Sequence, residues 1–201
     1  MFTGIVSGLG RVTAHRALGE GVRITVDSGG WPIEDVAIGD SIAHNGCCLT
    51  IVEKGPHWLT SDVSAHTLGV VCGLEVGALV NLEKAATLAD RLGGHLVTGH
   101  VDAAGRVVRW EQIAESWLLE VEVVRELAPF IAKKGSVAVH GVSLTVNQVV
   151  DTAHGCRFGI NIIPHTFAAT SFQALRLGDG VNVEVDLVAR YVARMLARPV
   201  D

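Results

Sequence analysis

The chain has 201 residues, of which 49% are apolar and 18% are charged, and its formal net charge is −5. It has no basic cluster of the kind that follows a phosphate backbone, so nucleic acid is not an expected partner. No uncharged apolar run reaches the roughly 18 residues of a membrane span, and the N-terminus lacks a signal-peptide pattern, so we expect no membrane association and a cytoplasmic location.

The first half of the chain alternates short strand patterns with glycine-rich turns. β-Branched residues and glycines predict a bent strand at the start, and alternating apolar and polar residues predict the others. The predicted strands cover residues 2–13, 22–27, 48–53, 57–63 and 79–83. A short helix is expected over residues 64–69, with Ser64 as its N-cap.

The second half follows the same plan and adds a helix at its end. Strands are predicted over residues 96–110, 117–124, 136–140, 143–150, 157–162 and 181–186, and a short helix over residues 126–132. Beyond them, apolar residues recur on one helical face, at Leu187, Val188, Tyr191, Val192, Met195 and Leu196. This face needs a partner, which is either a barrel of the same chain or the same helix of other subunits.

The two halves are copies of one sequence. HNGCCLT at residues 44–50 returns as VHGVSLT at 139–145, and MFTGIVSGLGRV at 1–12 returns as LVTGHVDAAGRV at 96–107. The distance along the chain between these repeated segments is too long for a solenoid, whose units span roughly 20 to 50 residues. We therefore predict an all-β protein with two tandem six-stranded β-barrels, residues 1–88 and 95–186, followed by a C-terminal helix over residues 187–201.

Residues that take part in a reaction are expected at positions where the two copies differ. Four matched pairs stand out: Cys48 with Ser143, Ile5 with His100, Asn45 with His140, and Ala85 with Asp186. Each residue alone also has a structural explanation, such as a buried thiol, a hydroxyl bonded to backbone, a core or surface histidine, or a helix N-cap. Their occurrence at matched positions of a repeat favours two related pockets with different chemistry.

Metal and disulfide chemistry find little support in the sequence. The cysteines are Cys47, Cys48, Cys72 and Cys156, without CxxC or CxxH spacing, so we expect reduced thiols. His95 and His100 lie close together on a glycine-rich segment, but no further ligand stands at a suitable spacing. We expect no metal.

The chain also carries a series of specific motifs in order. They are MFTGIV at the N-terminus, NGCCLT at 45–50, VNLEKA at 80–85, GGHLVTGHVD at 93–102, KGSVA and GVSLTVN between 134 and 147, IPHT at 163–166 and VNVEVDLVARYV from 181. Together they resemble the riboflavin synthase family over nearly the whole chain.

The resemblance implies a fold, an assembly and a reaction. It implies a homotrimer with two Greek-key, lumazine-binding barrels per chain and a C-terminal helix at the trimer contact. Two molecules of 6,7-dimethyl-8-ribityllumazine would bind between the first barrel of one subunit and the second barrel of its neighbour, without any cofactor. A four-carbon unit would pass between them, which yields riboflavin and 5-amino-6-ribitylaminouracil. Association with lumazine synthase is a further implied partnership.

The resemblance also implies site residues, carried over motif by motif. Those implied in catalysis are Phe2, Cys48, His100, Lys134, His140, Ser143 and Asp186. Those implied in substrate binding are Thr50, Asp62, Ser64, Thr67, Thr145, Ile162, His165 and Thr166. The chain departs from the family pattern at His140, where Asp is usual, and at Val71 and Cys72, where Thr or Ser is usual.

Two alternatives belong to other functional classes. A lumazine- or flavin-binding protein without catalysis would share the fold, and a relative redirected to another pterin-like substrate would share it too. Cys47, Cys48, Ser143, Thr145 and Asp186 are all present. Their presence favours the enzyme.

Overall fold

Antiparallel strands form most of residues 1–197, the part of the chain that the computed structural model describes. The first half contains β1 (Gly8–Leu18), β2 (Gly21–Asp27), β3 (Ser41–His44), β4 (Cys47–Lys54), β5 (Trp58–Val63), helix α1 (Ala65–Leu68) and β6 (Leu79–Lys84). These strands close into a barrel in the order β1-β2-β5-β4-β3-β6. Its interior is filled by apolar side chains such as Ile24, Ile51 and Leu82, all fully buried.

The second half forms a curled sheet of the same design. It contains β7 (Ala103–Ile113), β8 (Ser116–Val124), β9 (Ser136–Val139), β10 (Val142–Thr145), β11 (Gln148–Thr152), β12 (Gly155–Ile162), helix α2 (Pro164–Ala169), β13 (Gly180–Val185) and, at its end, helix α3 (Leu187–Leu196). The strand order is β10-β9-β13-β7-β8-β12-β11. The all-β prediction with two repeated barrels is confirmed.

One strand of the repeat is divided in the second copy. β4 is continuous, with a register shift between Ile51 and Glu53, whereas its counterpart is split into β10 and β11 around Val146 and Asn147. The Val146 N–H donates to the Gly135 carbonyl, and the Asn147 N–H donates to the Gly159 carbonyl. The chain therefore moves from β9 to β12 at this bend, which is why seven strands replace the predicted six.

Some predicted elements differ in extent. β1 and β7 begin only at Gly8 and Ala103, because Gly4 and Gly99 have φ values of 75° and 81° and interrupt the extended backbone before them. β3 was not predicted, since three of its four residues are buried and it lacks the alternation of a half-buried strand. The helix expected over 126–132 is only a 3-10 turn at Ala128–Phe130. Pro129 contributes to this, because it has no backbone N–H to donate to the preceding turn.

The two barrels meet at a pair of equivalent turns. Asn45 and His140 both have φ of 47°, and the following Gly46 and Gly141 have φ of 81° and 77°, as in the two-residue turns favoured by β-hairpins. The Asn81 side chain donates to the His140 carbonyl at 2.9 Å, and the Asn182 side chain donates to the Asn45 carbonyl at the same distance. These reciprocal bonds relate the barrels by an approximate twofold axis.

Helix α3 leaves the second barrel with its apolar face uncovered. Its N-cap is Asp186, whose carboxylate accepts from the Val188 N–H at 2.9 Å, as the sequence allowed. Val188, Tyr191, Val192, Met195 and Leu196 are each at least half exposed. The predicted helical segment runs on to residue 201, and positions 198–201 lie outside the described residues. Within the described part of the chain, α3 and the other helices are too short or too polar to cross a membrane.

Two buried histidines should make the free energy of unfolding depend on pH. Burial lowers the pKa of His44 and of His140 from 6.5 to about 4. The unfolded chain therefore binds more protons than the folded one between these pH values, and the free energy of unfolding should fall as the pH drops from 6.5 towards 4. Linkage puts the loss at about 3 kcal/mol per histidine at most. The raised pKa values of Glu83 and Glu184, also caused by burial, act in the opposite direction.

A substitution isolates the histidine contribution. His44→Val introduces the residue found at the matched position, Val139, and should make urea-unfolding free energies depend less on pH between 6.5 and 4. His154→Asn, on an exposed turn, serves as the control and should leave the slope unchanged. An unchanged slope in His44→Val would rule out this account of the pH dependence.

Candidate active site

Two of the predicted site residues, Cys48 and Ser143, occupy positions that the repeat relates. The Cys48 N–H donates to the Gly99 carbonyl at 2.8 Å, and the Ser143 N–H donates to the Gly4 carbonyl at the same distance. Each barrel thus receives the segment that precedes the first strand of the other barrel. Phe2 and Val97 exchange two backbone hydrogen bonds where the segments cross, at 2.7 and 3.1 Å.

Two buried glutamates hold these crossing segments in place. Glu83 accepts from the backbone N–H and the hydroxyl of Thr3, both at 2.7 Å, and Glu184 accepts from the same groups of Thr98 at 2.6 and 2.8 Å. Burial raises the pKa of both carboxyls, against the hydrogen bonds that lower it. The sequence-based prediction omitted these residues, although the matched VNLE and VNVE motifs contain them.

The cluster on the second barrel brings Ser143 against an imidazole. His95 Nδ1 lies 2.7 Å from Ser143 Oγ, and His95 is 8% exposed. Burial lowers the pKa of His95, and the negative charge of Asp186 opposes this shift. A Cβ on Gly4 would lie 2.6 Å from Ser143 Cβ, so glycine is required for this close approach. His95 was considered only as a metal ligand from the sequence.

Lys134 and Thr145 flank the bend beside this cluster. The Lys134 N–H donates to the Val146 carbonyl at 2.7 Å, and its φ of 68° lies in the left-handed region. The matched residue of the first copy is Gly39, with φ of 97°. A lysine held where glycine is preferred is a candidate for function. Thr145 is exposed and pairs with Ser136 in the ladder between β9 and β10.

The cluster on the first barrel is more apolar. Cys48 is half-buried and packs against a small core formed by Phe2, Ala43, Val97 and Ala138 between the barrels. The four cysteines are free thiols. Phe2 is 1% exposed, so its ring belongs to this small core and presents no open surface.

The other predicted binding residues of the first barrel lie along β4, β5 and α1. Thr50 is exposed, and Ser64 Oγ caps α1 by accepting from the Thr67 N–H at 3.1 Å, as predicted. The Asp62 carboxylate is held by the Arg23 guanidinium at 2.5 and 2.9 Å, which lowers the pKa of Asp62. This ion pair occupies both carboxylate oxygens.

Four predicted residues of the second half occupy different environments. His100 and His165 are exposed and Thr166 is half-buried, whereas Ile162 is fully buried in the core of its barrel. Side chain and backbone of Ile162 are both covered, because the residue as a whole is 0% exposed. α2 is fixed by Phe167, whose ring stacks on Trp117 with centroids 3.9 Å apart.

His140 lies in the inter-barrel turn. It is 5% exposed. Its backbone N–H donates to the Asn182 carbonyl at 2.8 Å, and its ring Nδ1 accepts from the Asn182 backbone N–H at 3.3 Å. Cys72, another departure from the family pattern, also bonds Asn182 through its backbone N–H at 2.8 Å. His140 and Cys72, which both depart from the family pattern, therefore lie at the junction of the barrels. Asp, Asn and His all tolerate the left-handed turn conformation of His140.

A cleft of about 800 Å³ contains none of the predicted site residues. It lies beside them on the first barrel, where Thr3, Ile5, Ser41, Ala85 and Gly93 contribute to its wall. Within residues 1–197, no group of three or more His, Cys, Asp or Glu side chains is placed to hold a metal ion. Cys48 and Ser143 thus lie outside this cleft.

Comparisons with known proteins agree with the duplicated fold. The Lumazine binding domain family matches residues 3–85 and 98–186, one match in each barrel. The chain is 39% identical over 198 residues to a riboflavin synthase of Photobacterium phosphoreum, covering 98% of this chain and 89% of that protein. It is 42% identical over 200 residues to a riboflavin synthase of Mycobacterium bovis, covering 98% of each.

Solved structures share the fold. LumP complexed with riboflavin superposes with a TM-score of 0.84, and LumP complexed with 6,7-dimethyl-8-(1'-D-ribityl) lumazine with 0.81, each at 24% identity over 92% of this chain and 99% of LumP. The duplicated barrels, the two crossing segments and the full-length sequence identities lead to one assignment. The chain belongs to the riboflavin synthase family.

Proposed function

We propose that the protein is a riboflavin synthase, which converts two molecules of 6,7-dimethyl-8-ribityllumazine into riboflavin and 5-amino-6-ribitylaminouracil. The observation that carries this proposal is the pair of repeat-related clusters with different chemistry. One presents the thiol of Cys48, and the other presents the hydroxyl of Ser143 beside the His95 imidazole. Two similar ligands held beside different groups are what a dismutation requires.

The reaction requires mainly that the protein position the two lumazine rings and assist modest proton transfer. The lumazine 7-methyl group is acidic because its ring delocalises the resulting anion, so modest acid and base assistance from a positioned side chain suffices. Bringing two rings together replaces a rare bimolecular encounter. Ser143, with Asp186 near the same imidazole, would serve the lumazine on the second barrel, and Cys48 would face the ring on the first.

The remaining residues are proposed to shape the two pockets. Thr50, Asp62, Ser64 and Thr67 would line the first, and Lys134, Thr145, Ile162, His165 and Thr166 the second, with His100 and Phe2 on the crossing segments. Ile162 would support the pocket wall from within the barrel core, because the whole residue is buried. For His140, the contacts support a role in the turn that precedes Ser143.

The assembly is proposed to be a homotrimer in the cytoplasm. α3 carries an apolar face of Val188, Tyr191 and Met195 that the rest of the described chain leaves at least 64% exposed. Such a face favours packing against the same helix in other subunits. The first barrel of one subunit would then meet the second barrel of its neighbour, which would enclose each shallow cluster. Association with lumazine synthase would bring the substrate from its source.

Lys134→Gly separates function from stability. Glycine relieves the left-handed backbone, so the free energy of unfolding should rise by about 1 kcal/mol. Loss of the ammonium group should at the same time raise KM for the lumazine about tenfold or more, since hydrogen bonds to charged groups contribute about 1.5 to 3 kcal/mol. Ala114→Gly, on an exposed turn with φ of 53°, is the control and should give the stability gain alone. Equal KM values in both variants would remove Lys134 from the site.

The proposal is tested by incubating the purified protein with 6,7-dimethyl-8-ribityllumazine alone. Riboflavin is followed by its absorbance and fluorescence, and the uracil product by chromatography. We expect one of each product per two lumazines consumed. Tight binding without product would instead identify a lumazine-binding protein, and neither binding nor product would indicate pockets rebuilt for another ligand.

A further inference from the structure

His95 is the one imidazole held against a predicted site hydroxyl within the described residues. It follows Gly93 and Gly94, and its N–H donates to the Thr3 carbonyl at 3.1 Å. A Cβ on Gly94 would lie 2.2 Å from that same carbonyl oxygen and 2.8 Å from Ser143 Oγ. The glycine therefore lets the backbone pass close enough to fix the ring beside Ser143.

The other ring nitrogen is unusual. His95 Nε2 is buried and has no hydrogen-bond partner among residues 1–197. Leaving a buried polar atom unpaired costs about 1 to 3 kcal/mol, so a side chain in this state is retained where it serves a site. Nδ1, by contrast, is fully engaged with the hydroxyl at 2.7 Å. The ring is thus held chiefly through its contact with Ser143.

Burial and nearby charge determine the protonation state of the His95 ring. Burial lowers the pKa of His95, which favours the neutral imidazole at neutral pH, and Asp186 is the acidic neighbour that works against this. A neutral imidazole has one acceptor nitrogen and one donor nitrogen. When Nδ1 is the acceptor, the Ser143 hydroxyl hydrogen points at the ring, and the lone pairs of Oγ are left for the bound lumazine.

We infer that His95 is a positioning residue that orients the Ser143 hydroxyl towards the lumazine on the second barrel. The inference rests on the proposed function and adds a residue to it. His95 does not contact the substrate in this arrangement; it acts through Ser143. Protonation of Nδ1 would remove the acceptor and turn the hydroxyl away, so turnover should decline at low pH with the titration of His95.

Two substitutions test this role against a purely structural one. His95→Ala removes the acceptor and should lower kcat about 100-fold while KM changes less than about threefold, as expected for a misplaced catalytic group. His95→Asn places a carbonyl oxygen near the position of Nδ1 and does not titrate. It should recover at least about a tenth of the parent kcat, and its kcat should no longer decline on the acid side where the parent's does.

The control is His154→Asn, an exposed turn histidine, which should retain the parent kcat and its acid limb. Thermal unfolding of each variant identifies any loss of fold. If the parent turns over, an unchanged kcat in His95→Ala would overturn the inference, and so would an acid limb retained in His95→Asn. Either result would leave the proposed function standing. A parent without turnover would overturn the proposed function, and the inference with it.

Discussion

Ser143→Ala is expected to lower kcat by about two to three orders of magnitude, because it removes the hydroxyl that His95 holds 2.7 Å from its ring. The lumazine should still bind, since alanine leaves the backbone contact between Ser143 and Gly4 intact. Steady-state turnover gives kcat, and a fluorescence titration gives the dissociation constant of the lumazine. The two together distinguish a chemical role from a binding role.

A matched control and a comparison sharpen this result. Ser116→Ala, on the hairpin between β7 and β8, removes a hydroxyl bonded to Asn161 at 2.9 Å and should leave kcat unchanged. Cys48→Ala alters the other cluster and should give a loss of different size, because the two clusters differ in chemistry. A kcat within about twofold of the parent in Ser143→Ala would remove the hydroxyl from the reaction.

Gly141→Ala is expected to destabilise the protein by about 2 to 4 kcal/mol. Its Cβ would lie 2.7 Å from the Gly46 nitrogen and 2.8 Å from the Gly46 Cα, at the junction of the two barrels. Both atoms are backbone, so the barrels themselves would have to separate. Since Ser143 follows two residues later, turnover should fall as well.

Gly178→Ala separates steric conflict from backbone strain. Gly178 has φ of 93°, in the left-handed region, and a Cβ there would meet nothing within 4 Å. It should therefore cost only the strain, about 1 to 2 kcal/mol. Urea unfolding of both variants measures the difference. Equal losses would show that the close approach of Gly46 and Gly141 does not hold the barrels together.

Much of the fold is predictable from the sequence because it is repeated. Two copies of one pattern give two barrels, and the N-cap Ser64 was correctly predicted from a single residue, while the N-cap Asp186 was one of two explanations that the sequence left open. β3 escaped notice because the inter-barrel contacts bury Ala43 and its neighbours on both faces. Its burial is a property of the assembled barrels, which no local pattern encodes.

The candidate site is less accessible to sequence reasoning. The motifs named Cys48 and Ser143, but His95 reaches Ser143 across 48 positions, and Glu83 reaches Thr3 across 80. Their roles come from the crossing of the two segments, which depends on tertiary structure. For His140, the motif predicts a catalytic position, and the structure adds that the residue forms the inter-barrel turn and that its ring accepts from the Asn182 N–H.

The transfer of a four-carbon unit between two lumazines is the centre of this account, and an isotope-mixing experiment tests it directly. An equal mixture of unlabelled substrate and substrate with ¹³C in that unit is converted by the enzyme, and the riboflavin is analysed by mass spectrometry. Transfer between two molecules predicts riboflavin with no labelled unit, with one and with two, the singly labelled species being the most abundant. Riboflavin that lacks the singly labelled species, or no riboflavin at all, would contradict it.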